Sequence, residues 1–100
     1  MFEIRHDDTD LEQLEFDPRC RSTHSVPIVK AFRRRMQQLR AANDERDLYA
    51  NRGMRFEELK GDRKGDFSVR LNDQWRLALR FEDSKPSRTM VIRAIEDYHR

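Results

Sequence analysis

The spacing of hydrophobic and polar positions changes character midway along this chain. Phe2 and Ile4 fall on one side of a short stretch over Phe2 to Arg5, which predicts a first strand. Asp8-Thr9-Asp10 offers helix caps, and Leu11, Leu14 and Glu15 predict a short helix that stops before Pro18, followed by a loop from Asp17 to His24. Val29, Phe32, Met36 and Leu39 recur on one face of a 3.6-residue period and predict a helix from Ser25 or Val26 to about Ala42, with Pro27 in its first turn. Lys30, Arg33, Arg34, Arg35 and Arg40 fill the rest of that helix, so its outer face reads either as a solvated surface or as a surface for an acidic partner or RNA. The polar stretch Asn43 to Asn51 allows one helical turn around Arg46 to Tyr49.

From Arg55 the period becomes two. Phe56 and Leu59 lead as a strand or extended piece into the basic, turn-rich segment Lys60-Gly61-Asp62-Arg63-Lys64-Gly65. Phe67, Val69 and Leu71 alternate with Ser68 and Arg70, and Trp75, Leu77, Leu79 and Phe81 alternate with Arg76, Ala78 and Arg80, with a tight turn at Asn72-Asp73. Glu82 to Arg88, containing Pro86, reads as the next turn, and residues 89–96 as the last strand. If the large apolar residues of the hairpin face the helices, Arg70, Arg76 and Arg80 project from the opposite face. Three arginines on one face are costly unless solvated or paired with anions, which makes that face the candidate working surface. The last strand is apolar at both parities; if it stays regular, the face carrying Arg93 also carries Asp97 and His99.

The chain has 100 residues, enough for one small domain spanning 1–100. Apolar residues make up 36% and charged residues 40%, against roughly one quarter charged in an ordinary soluble domain, so the core must be lean. Residues 1–24 carry 3 basic and 7 acidic side chains (net −4), and residues 25–100 carry 18 basic and 12 acidic (net +6). A basic, arginine-rich body suits phosphate recognition. The lone Cys20 excludes an internal disulfide and leaves too few soft ligands for structural zinc, and no apolar run approaches a membrane span or a secretory leader, so a cytoplasmic location is expected. His6 and His24 read as surface or capping residues, and Trp75 as core.

The chain closes on Glu96-Asp97-Tyr98-His99-Arg100, which sets an acid, a phenol and an imidazole behind an apolar strand. Together with Leu59-Lys60-Gly61-Asp62-Arg63-Lys64-Gly65, Phe67-Ser68-Val69-Arg70 and Asn72-Asp73-Gln74-Trp75-Arg76-Leu77, this ending resembles the HigB toxins of the RelE/ParE superfamily. The likeness runs from about Arg52 to the end and extends to the first half only in outline. It implies an α+β fold, a small antiparallel β-sheet with two helices packed on one face, in agreement with the order of elements read above. It also implies a ribosome-dependent mRNA endonuclease, one half of a type II toxin–antitoxin pair. Such an enzyme cleaves mRNA in the A site of the small (30S) ribosomal subunit without a metal or other cofactor, through attack of a ribose 2′-hydroxyl on the adjacent phosphate. The implied partner is a helix-turn-helix antitoxin, HigA-like, and no membrane is involved.

By the same resemblance the catalytic set is Lys60, Arg76, Asp97, Tyr98 and His99. Lys60 and Arg76 would meet the scissile phosphate, Arg76 through a planar fork suited to its oxygens. His99, with an ordinary pKa of about 6.5, is the better proton carrier, whereas Tyr98, at about 10, suits stacking on a base, and Asp97 orients His99 or a sugar hydroxyl. Arg63, Lys64, Arg70, Arg80 and Arg93 are the expected RNA contacts. Some relatives carry a histidine three residues before the matching lysine; this chain has Glu57, either a carboxylate substitute or a surface residue. Two other readings keep the fold and drop the cleavage: a ParE-type toxin acting on DNA gyrase, and a catalytically weak antitoxin-binding module.

Overall fold

A computed structural model describes residues 2–20, 22–84 and 87–98 and gives, in chain order, β1 (Glu3–His6), α1 (Thr9–Phe16), α2 (Val26–Ala41), α3 (Glu45–Ala50), β2 (Glu57–Glu58), β3 (Asp66–Arg70), β4 (Trp75–Ser84) and β5 (Ser87–Asp97). The strands form one sheet in the order β1-β5-β4-β3-β2. Every described pairing is antiparallel except β1 with β5, which is parallel, so the sheet is mixed where the sequence reading expected an antiparallel one. The difference follows from connectivity: β1 reaches β5 only after the chain has laid down all three helices.

Local chemistry sets the helix starts. The Asp8 carboxylate accepts from the Asp10 amide at 2.8 Å and caps α1, whose Leu11 and Leu14 are buried. Pro27 occupies the first turn of α2, and the buried residues of that helix are Ile28, Phe32, Arg35, Met36 and Leu39. Phe32, Met36 and Leu39 are inside as expected, and only the first position differs, with Ile28 inside and Val29 partly covered. Phe32, Met36 and Leu39 are fully buried against Val69, Leu77, Leu79, Met90 and Ile92 from the sheet, each contributing about 1.5–3 kcal/mol of transfer free energy.

Arg35 lies inside rather than on the basic outer face. Its guanidinium donates from Nε to the Arg70 carbonyl (2.8 Å), from Nη2 to the Gly53 carbonyl (2.7 Å) and from Nη1 to Gln38 Oε1 (2.8 Å), tying α2 to the end of β3 and to the turn before β2. Arg33 donates to the Leu14 and Asp17 carbonyls, and Arg40 pairs with Glu15 through Nε (2.6 Å) and Nη2 (2.9 Å). Most of the expected basic face is therefore spent on internal ties.

His6 is also interior, and not a surface residue. The sheet places Ile4 and His6 beside Met90 and Ile92 on the helix side, and His6 Nε2 lies 2.7 Å from Glu15 Oε1. His24 sits edge-on to the Trp75 ring at 5.2 Å, covering the partly buried indole. The hairpin of β4 and β5 is longer than expected: β4 runs to Ser84 and β5 begins at Ser87, because Glu82 and Asp83 pair across with Thr89 and Arg88. The expected turn residue Pro86 lies outside the described residues.

Burial alone would raise the Glu15 carboxyl, but the hydrogen bonds from Arg40 and His6 outweigh it and hold the group below its ordinary value of 4.5. A carboxyl depressed in the folded state stabilises above its unfolded value, and that contribution is lost as pH falls through the folded value. Stability measured by urea unfolding should be flat from neutrality down to about pH 5 and fall below 4.5. Glu15→Gln should lower stability at pH 7 by roughly 1–3 kcal/mol and flatten the acid limb. An unchanged acid limb would contradict this role.

Candidate active site on the open sheet face

The alternation in β3 and β4 separates two faces. Phe67, Val69, Leu77 and Leu79 go to the helices, and Asp66, Ser68, Arg70, Arg76, Ala78 and Arg80 share the open face. Arg70 stands opposite Arg76, a like-charge pair that each residue relieves locally, Arg70 on Asp73 and Arg76 on Glu57.

A β-bulge in β5 decides what this face carries. Ala78 pairs with Ala94 and Leu79 with Ile92, which leaves Arg93 as the extra residue. Before the bulge Met90 and Ile92 face the helices; after it Ile95, opposite Leu77, and Asp97, opposite Trp75, take that side. Arg93 therefore shares the open face with Glu96, opposite Arg76, and with Tyr98, not with Asp97 as a regular strand would have it. The double-parity apolar pattern of this strand is the trace of that switch.

Arg76 is the centre of the site. It is buried, with 8% of its surface exposed, and its Nη1 donates to Glu57 Oε1 and to Ser68 Oγ, both at 2.8 Å. Its guanidinium carbon lies 3.8 Å from the centroid of the Tyr98 ring, a cation–π contact. Among the described residues its Nε and Nη2 carry no hydrogen bond, which leaves donors for a phosphate. A cleft of about 170 Å³ opens here, with Leu59, Arg63, Ser68, Arg76, Glu96 and Tyr98 in its lining. Glu57 is an exposed residue ion-paired to Arg76.

The other expected catalytic residues are placed differently. Asp97 Oδ2 accepts from Gln74 Nε2 at 3.0 Å, and the Tyr98 amide donates to the Gln74 carbonyl at 2.6 Å, so the end of β5 is anchored to the β3–β4 turn. Tyr98 is half exposed above Arg76. Lys60 is exposed at the start of a loop whose Gly61 and Gly65 take positive φ (69° and 96°), and has no ion pair among the described residues; Lys64, in the same loop, is likewise exposed and unpaired among them. His99 lies outside the described residues.

The four arginines expected to touch RNA are already paired. Arg63 grips Glu96 with Nη1 (2.8 Å) and Nη2 (3.0 Å) and reaches Asp66 with Nε (3.3 Å). Arg80 donates Nε and Nη2 to Asp66 Oδ1 (3.0 and 2.9 Å). Arg93 lies 3.6 Å from Asp66 and 3.8 Å from Asp7, and Arg70 is bound to Asp73. Burial alone would raise the Asp66 carboxyl, but the hydrogen bonds of Arg80 and Arg63 outweigh it and hold the group below the usual aspartate range. Sequence reasoning missed Asp66 and Ser68, although the alternation that exposed Arg70 sets both on the same face. Glu96 could not be placed without the bulge.

Known proteins resemble this chain in both sequence and fold. Residues 5–99 match the family model of the HigB-like RelE-like toxin of type II toxin–antitoxin systems. The chain is 38% identical over 73 residues to Toxin HigB-1 of Vibrio cholerae serotype O1, covering 73% of this chain and 77% of that protein. In fold it resembles the YoeB/ParE toxin from Agrobacterium tumefaciens (TM-score 0.58, 17% identity, covering 98% of this chain and 100% of that one). It also resembles YoeB from Staphylococcus aureus (TM-score 0.52, 17% identity, covering 99% and 98%). With the sequence match spanning nearly its whole length and the sheet folded as in these toxins, the chain belongs to the HigB-like toxins of the RelE superfamily, the toxin half of a type II toxin–antitoxin pair.

Proposed function

We propose that this toxin is a ribosome-dependent endoribonuclease that cuts mRNA in the A site and so stops translation, and that a helix-turn-helix, HigA-like antitoxin neutralises it. The observation that carries the reading is Arg76. A guanidinium this buried, fixed by Glu57 and Ser68 and covered by the Tyr98 ring, is held in one orientation at the mouth of a cleft. Fixed charge at a developing phosphorane accelerates phosphate chemistry because no reorganisation is needed as the charge forms.

In the proposed reaction the ribose 2′-oxygen gives up its proton and bonds to the adjacent phosphorus. The 5′-oxygen of the next nucleotide leaves and takes up a proton, so the products are a 2′,3′-cyclic phosphate and a 5′-hydroxyl. Arg76 holds the non-bridging oxygens, and Lys60, unpaired among the described residues, adds a second cation from the loop. His99 carries a proton to or from the reacting oxygens, and Glu57, ion-paired to the Arg76 guanidinium on the open face, takes the acid–base role of the histidine that some relatives carry. Tyr98 offers an exposed ring to a nucleobase, and Asp97, held by Gln74, fixes the strand end next to Tyr98. The ribosome's part in this scheme is to hold the mRNA in line, a positioning requirement that a small open cleft does not meet alone.

Purified toxin should cut mRNA on programmed ribosomes and leave the same RNA largely intact in solution. Arg76→Ala should reduce the ribosomal cleavage rate by roughly 100- to 1,000-fold in single-turnover assays, and Arg76→Lys should recover little because the bidentate fork is gone. Wild-type rates in the alanine variant would remove Arg76 from the chemistry. Tyr98→Phe should keep most of the rate and Tyr98→Ala should lose about tenfold, since a stacking ring needs no hydroxyl; equal losses in both would assign the phenol a proton-transfer role instead.

A further inference from the structure

Asp66 has no part in the reaction above, yet it is among the most constrained charges in the chain. It is buried, it opens β3 directly opposite Arg80, and three guanidiniums converge on it. Arg80 holds Oδ1 through two donors, Arg63 reaches Oδ2 while gripping Glu96 with its other two nitrogens, and Arg93 stands 3.6 Å from Oδ1. Arg93 arrives only because the bulge in β5 turns it to this face. Through Arg93 the network continues to Asp7, Arg5 and Glu82 at the β1 edge.

The arginine side chains are not sealed in. Arg63, Arg80 and Arg93 stay 42%, 45% and 33% exposed while their inner edges are fixed, and Arg93 makes no close hydrogen bond to either carboxylate. With Asp66 buried and its partners part-exposed, the pairing must first offset the cost of burying the carboxylate, and a buried ion pair is by itself weak evidence of a stabilising role, so stability is a weak reason to bring three arginines onto one aspartate. What such an arrangement supplies is order: long, rotamer-rich side chains that would otherwise lose entropy on meeting a ligand are already set. Arg63 also lines the cleft, so the array begins at the wall of the site and runs away from it along the sheet.

We propose that Asp66 is a positioning residue for RNA: it holds Arg63, Arg80 and Arg93 as a preset track beside the cleft, where their outer edges receive phosphates of the strand flanking the scissile bond. The inference rests on the endoribonuclease reading and adds to it a residue that acts only through others.

Positioning and bulk charge predict opposite signs. Asp66→Asn keeps the shape and makes the toxin one unit more positive, which by electrostatics alone would tighten RNA binding. With the full chain, Asp66→Asn should instead raise KM for mRNA on programmed ribosomes by about tenfold with kcat within about twofold. It should also weaken binding of a short single-stranded RNA and reduce the slope of log affinity against log salt by roughly 0.7 for each phosphate no longer held. Unchanged or tighter RNA binding, with KM unchanged or lower, would overturn the proposal. Should Asp66→Asn not fold, Arg93→Gln carries the test: KM should rise by about threefold with a shallower salt slope, and no change in either would overturn it. If wild-type toxin cuts nothing on ribosomes, the proposed function fails; the RNA-binding comparison still reads the array separately.

Discussion

The site depends on a single irregularity in strand pairing. In β5 the extra residue Arg93 lets Met90 and Ile92 seal the helix side while Glu96 and Tyr98, further along, emerge on the other. Without it the strand would alternate unbroken, Glu96 and Tyr98 would turn to the core side, and Ile95 would stand opposite Arg76 where Glu96 now does. A one-residue slip reverses every side chain beyond it, so the bulge is what joins the stable half of the sheet to its chemical end.

Charge on the two sides of the sheet does different work. On the helix side, the Glu15 and His6 side chains are buried together under a half-exposed Arg40, so losing one would leave a desolvated partner, and Arg35 ties α2 to two backbone carbonyls. On the open side the arginines are part-exposed, and the Asp66 carboxylate that Arg63, Arg80 and Arg93 share lies buried beneath them. Arg76 lies between these regimes, buried like a structural residue and aimed like a functional one. Most arginines of the open face are held in these pairs, whereas Lys60 and Lys64, without an ion pair among the described residues, sit exposed in the glycine-bearing loop.

Much of this was legible in the sequence because period and chemistry agreed there. The 3.6-residue spacing of Phe32, Met36 and Leu39 located the main helix, and the strict alternation from Phe67 to Phe81 put Arg70, Arg76 and Arg80 on one face. The misses have physical causes. Arg35 and His6 were read as surface because composition cannot see a carbonyl or carboxylate supplied from another element. The face of Asp97 stayed open in the sequence, because a bulge leaves no mark in residue type beyond an apolar run at both parities. The parallel pairing of β1 is a long-range contact that no local pattern encodes.

The proposed function turns on one step, attack by the ribose 2′-oxygen at a phosphate held by Arg76. Programmed ribosomes carrying mRNA with one 2′-deoxynucleotide, placed immediately 5′ of the cut phosphate, isolate that step without altering the protein. Cleavage at that position should cease while neighbouring sites in the same message still cut, the products there ending in 2′,3′-cyclic phosphate. Undiminished cleavage at the deoxy position would contradict the account.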